Sequence, residues 1–255
     1  MPRTMRIATD IKYSLVQFAR NRQSVFFTLA FPAIFLVVLG YLLGGDEAPS
    51  GVPGVSYIGY LLSGTLGICI MFSALNETIG TITKYRANGV FNMLSVTPMS
   101  AIEWNLARIL SGTLIVLLSI IVALAAARVA FGVLPAINVL SVLLVVTGSF
   151  MFLGLGMIIA YVLEDIRSPN MVSLMITLPL MMVSGSLFPV SELPFLVQFF
   201  SILSPLTPIT SGLRDAMFAG DSCGAIVNLL VSIALGFIIF TVGVAVLMGK
   251  EGQDI

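Results

Sequence analysis

Apolar residues in this chain come in long unbroken runs, separated by short polar clusters. The runs cover about residues 24–43, 55–79, 106–127, 137–163, 170–187 and 225–248. Roughly 20 apolar residues of helix cross about 30 Å of hydrocarbon. The runs are continuous rather than alternating, so they predict helices and not barrel strands. Residues 1–22 read differently: Ile7, Ile11, Leu15 and Phe18 recur at helical spacing among Arg3, Arg6, Lys12, Arg20 and Arg22. That pattern predicts an amphipathic helix in the headgroup plane; the alternative is a solvated basic tail. Residues 188–221 are apolar but cut by Pro189, Pro194, Pro205 and Pro208 into pieces too short to cross. They predict re-entrant or interfacial helices, the second carrying Arg214.

Local signals refine the elements. Pro32 lies mid-run and predicts a bend. Gly59, Ser63 and Gly67 fall four apart, as do Ser119, Ala123 and Ala127, each set giving a small-residue face for close packing. Ser168-Pro169 reads as an N-cap followed by a first-turn proline, and Asp221 or Ser222 as the cap of the last run. The expected fold is an all-α integral membrane domain over 23–250, with six spans and a re-entrant hairpin between the fifth and sixth.

Composition agrees with the pattern. Of 255 residues 58% are hydrophobic and 9% charged, against about 25% charged in a soluble domain. Net charge is zero, but its distribution is not even. With both termini placed in the cytoplasm, ten of the twelve Lys and Arg fall on that side, and only Arg128 and Arg214 fall outside. Residues 188–221 then begin and end on the outer face. The charged start and the length of the first run predict no cleaved leader.

Candidate chemistry is sparse. The chain has no His, no G-x-x-x-x-G-K-[ST] loop and no pairing of a nucleophile with a base. Cys69 and Cys223 sit in or beside different runs and read as packing residues. Glu77 is the one carboxylate well inside a run, which makes it a possible intramembrane polar site. As such it would be a proton site, as in an ion-coupled carrier or channel, or a substrate contact; the alternative is a carboxylate at headgroup depth or paired with a nearby Lys or Arg. No catalytic residue, bound cofactor, metal or nucleic-acid partner is expected. A cargo-less scaffold is the other alternative to a carrier.

The most informative loop is 81–105. After Lys84 and Arg86, Asn88-Gly89 marks a stop, and Val90, Phe91 and Leu94 form a short apolar face. Thr97-Pro98 ends it, and Ser100 with Glu103 makes a capping box. So short an apolar helix is poorly stable alone and suits docking.

Three places together resemble the permease subunit of type 2 ATP-binding-cassette exporters, the group of daunorubicin-resistance and polysaccharide-export permeases. They are the basic helix before a proline-bearing first span; the loop from Arg86-Ala87-Asn88-Gly89 to Thr97-Pro98; and Ser184-Gly185-Ser186-Leu187-Phe188-Pro189, continuing through Pro194 and Pro205 to Leu213-Arg214. Asn88 stands where the family commonly has Glu. The resemblance implies a separate ATPase subunit holding ATP and Mg, and a second permease copy or sister permease meeting this one along the first and fifth spans. It also implies a coupling helix formed or flanked by Arg86, Gly89, Val90, Phe91, Leu94, Thr97 and Pro98. The cargo expected is a hydrophobic drug, lipid or lipid-linked molecule.

Overall fold

The computed structural model describes residues 3–44, 55–87, 101–163, 168–190 and 194–251, with backbone alone at 3–10, 87, 101–108 and 246–251. The described residues form helices α1 (Arg3–Arg20), α2 (Arg22–Leu43), α3 (Tyr57–Ala87), α4 (Ala101–Phe131), α5 (Val139–Val162), α6 (Pro169–Val183), α7 (Phe195–Leu203), α8 (Leu206–Ala219) and α9 (Ser222–Glu251). Among them α2, α3, α4, α5 and α9 are each long and apolar enough to cross a bilayer.

α3 is the axis. Of its most apolar window 94% is buried, against 22% for α9, so neighbours surround α3 while α9 presents one side outward. Tyr60, Leu62, Phe72 and Leu75 on α3 are fully enclosed. Apolar attraction between helices is weak when lipid tails are the solvent, so close approach at small residues must hold the bundle. The α5–α9 crossing shows this. A Cβ on Gly154 would come within 2.6 Å of the Phe240 Cα, and one on Gly243 within 2.5 Å of the Gly154 carbonyl oxygen.

α2 carries the irregularity that Pro32 predicts. A π-helical stretch, Phe26–Ala30, precedes the proline. In an α-helical pattern Pro32 would leave the Thr28 carbonyl without its donor. The Ser119 hydroxyl of α4 donates to that carbonyl at 2.9 Å. The small face of α4 is therefore also where α2 is repaired, and Ala123 and Ala127 below it are fully buried. α4 runs on past Ala127 to Phe131. Gly132 (φ +70°) then ends it, its carbonyl accepting Arg128 Nη1 at 2.9 Å.

α6 has 15 residues, about 22 Å of helix. It lies antiparallel to α3: Pro169 faces Gly80, and the Ser186 carbonyl abuts Gly64. The helix stops at Val183, short of the expected 187, because Gly185 (φ +70°) turns the chain. The buried turn that follows reaches the first turn of α3, where Tyr57 and Tyr60 meet it. α7 and α8 then fold back as a pair bent by 91°. α7 exposes Phe195, Leu196, Phe199 and Phe200, whereas α8 sinks Leu206, Ile209 and Leu213 into the bundle against α3, α5 and α9. Asp221 caps α9, its Oδ1 accepting the amides of Cys223 and Gly224 at 3.1 Å each. The architecture is that of an all-α, multi-span membrane protein with a bent helical hairpin before its last span.

Candidate functional site

Two polar centres stand out, one at each end of the bundle. The first is where the hairpin seats. The Gly59/Ser63/Gly67 face of α3 is the groove that receives α8. A Cβ at Gly67 would lie 2.4 Å from Thr210 Cγ2, and one at Gly59 would lie 3.0 Å from Phe218 Cδ1. Arg214 sits between Thr210 and Phe218 along α8, so it meets Ser63 between the two glycines. It is 7% exposed. Its Nε donates to Ser63 Oγ and its Nη2 to the Gly185 carbonyl, both at 3.2 Å. Its guanidinium carbon lies 3.6 Å from the centre of the Tyr60 ring.

Tyr60 completes the arrangement. Its hydroxyl donates to the carbonyls of Gly185 and, at 3.0 Å, of Phe188. Tyr57 donates to the Leu187 carbonyl at 3.3 Å. The Ser184–Ser186 hydroxyl pair closes the turn at 2.6 Å. Non-helical backbone at membrane depth is tolerable only where protein donors replace water. Here two tyrosines and one arginine do so. The centre contains no general base or nucleophile; it is a joint that fixes the hairpin to α3. Asp215, the next residue, accepts Asn228 Nδ2 of α9 at 3.0 Å and ties the same hairpin to the last span.

The prolines of the predicted re-entrant region frame this joint. Pro189 is buried at the end of the turn. Pro194 precedes α7 and Pro205 precedes α8 as cap residues, and Pro208 is buried in the first turn of α8.

At the opposite end, where α1 packs on α4, lies a cavity of about 230 Å³. Ser14 of α1, Thr28 of α2, Asn76, Glu77 and Lys84 of α3, and Asn170 of α6 line it. Glu77 is half-buried and accepts the Thr81 hydroxyl at 3.4 and 3.5 Å. Asn76 Nδ2 donates to Thr28 Oγ1 at 3.3 Å. Close by, Arg86 in the last turn of α3 donates through Nη1 to the Ala160 carbonyl near the end of α5, at 2.5 Å. Gly89, Val90, Phe91, Leu94, Thr97 and Pro98 lie outside the described residues. Among the described residues no three His, Cys, Asp or Glu side chains group to hold a metal ion, and Cys69 and Cys223 are both free thiols.

Sequence reasoning picked out Arg214 and Glu77 but not their surroundings. Tyr60 and Gly185 are 125 positions apart, and nothing in either run announces the contact. The Ser and Asn residues of the cavity are scattered one or two to a run, where they read as small packing residues.

A helical bundle with a bent hairpin wedged against its central helix defines an integral membrane domain. Comparison with known proteins narrows the class. The family model described as ABC-2 type transporter matches residues 6–218, and the chain belongs to that family. It is also similar to nodulation protein J of Sinorhizobium fredii (strain NBRC 101917 / NGR234), with 28% identity over 203 residues covering 76% of this chain and 74% of that protein. The chain is thus a multi-pass membrane component of an ABC-2 type transporter.

Proposed function

We propose that this chain is the permease subunit of an ATP-binding-cassette exporter, moving a hydrophobic drug, lipid or lipid-linked molecule outward. ATP and Mg sit on a separate ATPase subunit, and a second copy or sister permease completes the path. In this reading the chain lies in the cell membrane with both termini cytoplasmic and the 88–100 loop on the ATPase side, which the uneven distribution of Lys and Arg supports. The observation that carries this reading is the family match across 6–218, joined to a chain with no phosphate-binding loop of its own.

The ATPase contact is assigned to Arg86, Gly89, Val90, Phe91, Leu94, Thr97 and Pro98. A small apolar patch ringed by polar groups can anchor such a contact. The Arg86–Ala160 bond gives the contact a route into the bundle, because a push on the end of α3 is felt at once by the end of α5. The joint at Arg214 holds the hairpin to the same helix at its other end. α3 is therefore the element through which a displacement at the loop reaches the hairpin.

The test is removal of residues 90–98. The shortened chain should insert into membranes and keep its melting behaviour, yet lose the ATPase in co-purification. Full recovery of the ATPase with the shortened chain would overturn the assignment.

A further inference from the structure

We propose that the seam between α3 and α6 holds a file of ordered water, and that along this wet seam α6 can slip against the rest of the bundle. The inference rests on how two helices pack and stands apart from the exporter reading. Among the described residues, six enclosed side-chain oxygens have no hydrogen-bond partner: those of Ser73, Asn76, Thr78, Asn170, Ser173 and Thr177. Thr78 faces Gly156 of α5. The other five belong to residues of α3 and α6 that are at least nine-tenths buried, and the antiparallel register brings them together. Pro169 of α6 faces Gly80 of α3. Counted back along α3 and forward along α6 from that contact, Asn76 comes level with Ser173 and Ser73 with Thr177. Ser73 and Asn76 fall at helical spacing on the Gly80 side of α3, and Asn170, Ser173 and Thr177 share the buried face of α6. Successive levels of one seam therefore carry unpaired hydrogen-bonding atoms, over about 10 Å of helix.

The second observation is what these hydroxyls do not do. A spare hydroxyl on a helix can bond back to the carbonyl one turn earlier. Thr147 and Ser149 of α5, and Ser232 and Thr241 of α9, do so at 2.7–2.8 Å. Ser73, Ser173 and Thr177 also lie inside helices, with such carbonyls in reach, and leave them unused. Buried polar atoms are almost always paired, and each exception calls for a reason. The partner that fits here is small, both donates and accepts, and sits between two packed helices. Water meets all three conditions, and a buried water makes about three hydrogen bonds to groups of this kind. The cavity of about 230 Å³ at the foot of the seam supplies it, since Ser73, Asn76 and Asn170 line both.

The α5–α9 crossing is the opposite case. There backbone meets backbone at Gly154 and Gly243, and the hydroxyls are satisfied within their own helices. A shift at that crossing breaks close packing. Between α3 and α6 the bonds run through water, which is nearly as good a partner as a direct bond and can trade one oxygen for the next without leaving either bare. α6 packs chiefly on α3, so the wet seam leaves it freer to move than α5 or α9.

The experiment uses the full chain in lipid nanodiscs, without nucleotide or partner. Hydroxyl radicals made by an X-ray pulse oxidise side chains beside ordered water, even where bulk solvent does not reach. Met181, one turn past Thr177 on the same buried face, should oxidise severalfold faster than Met151 and Met157, which are buried on α5. Thr177→Val should remove that excess. Ser73→Ala and Thr177→Val should each lower the melting temperature by about 2–4 °C. The double variant should fall no further than the larger single, because both changes release the same water. Amides of α6 should exchange with deuterium ahead of those of α5 and α9. A single variant that melts above the parent means a dry hydroxyl and overturns the proposal. So do additive losses, equal oxidation of the three methionines, or α6 protection equal to that of α5 and α9. If a variant fails to fold, oxidation and exchange of the unmodified chain decide.

Discussion

Arg214 and Tyr60 serve the same carbonyl, and that redundancy makes a quantitative prediction. In Tyr60→Phe the Gly185 carbonyl keeps Arg214 Nη2, while the Phe188 carbonyl loses its tyrosine donor. In Arg214→Met the Gly185 carbonyl keeps Tyr60, Ser63 Oγ still donates to the Tyr60 carbonyl at 2.7 Å, and the burial cost of a cation disappears. A lost donor to a buried carbonyl costs about 1–3 kcal/mol. The cation–π contact adds about 2 kcal/mol when desolvated, and relief of the buried charge offsets much of this in Arg214→Met. Each single change should therefore cost only about 1–2 kcal/mol. In the double variant Gly185 has neither donor, so the loss should exceed the sum of the singles by about 1–3 kcal/mol. Equilibrium unfolding of the four proteins in mixed micelles by a denaturing detergent measures this coupling. Additivity within about 0.5 kcal/mol, or an Arg214→Met variant more stable than the parent, would refute the shared-acceptor account.

Other changes test the same structure elsewhere. Gly64→Ala should cost more than about 2 kcal/mol, because its Cβ would sit 1.8 Å from the Ser186 carbonyl oxygen, whereas Gly132→Ala meets no neighbour and should cost about 1 kcal/mol for its positive φ; melting temperatures in nanodiscs rank the two. Ser119→Ala should cost about 1 kcal/mol by removing the side-chain donor to the Thr28 carbonyl, read by the same melts. Arg86→Ala should leave ATPase binding in place but lower transport per ATP hydrolysed, measured in proteoliposomes; unchanged coupling would sever the proposed route from the loop to α5. Glu77→Gln should leave transport and its pH profile nearly unchanged, and a loss of pH dependence would favour an ion-coupled carrier.

The long apolar helices α2, α3, α4, α5 and α9 were legible because a bilayer demands continuous apolar helices of that length. The α8 groove was half legible. Glycine and serine four apart announce a close neighbour, but not that the neighbour is a re-entrant helix carrying Arg214. Prolines marked where residues 188–221 break, yet the depth of α8 depends on Tyr57 and Tyr60 serving carbonyls of the buried turn. Sequence spacing does not encode that long-range pairing. α4 runs on past the end of the apolar run at Ala127, with the Arg128 guanidinium reaching forward to the Gly132 carbonyl, a contact the run itself does not announce. The cavity was invisible for a related reason. Hydroxyl and amide side chains in apolar runs usually pack between helices, and what distinguishes Ser73, Asn76 and Asn170 is a side-chain oxygen without a partner among the described residues.

The central claim is that this bundle moves its cargo only when a separate nucleotide-hydrolysing subunit works it through the loop between α3 and α4. The most direct measurement follows fluorescent lipid and lipid-linked cargo across the bilayer of proteoliposomes holding the permease with or without its co-purifying ATPase. The account predicts ATP-dependent movement with both present, and only the protein-free leak rate when the ATPase is left out. Movement at full rate by the permease alone would contradict it.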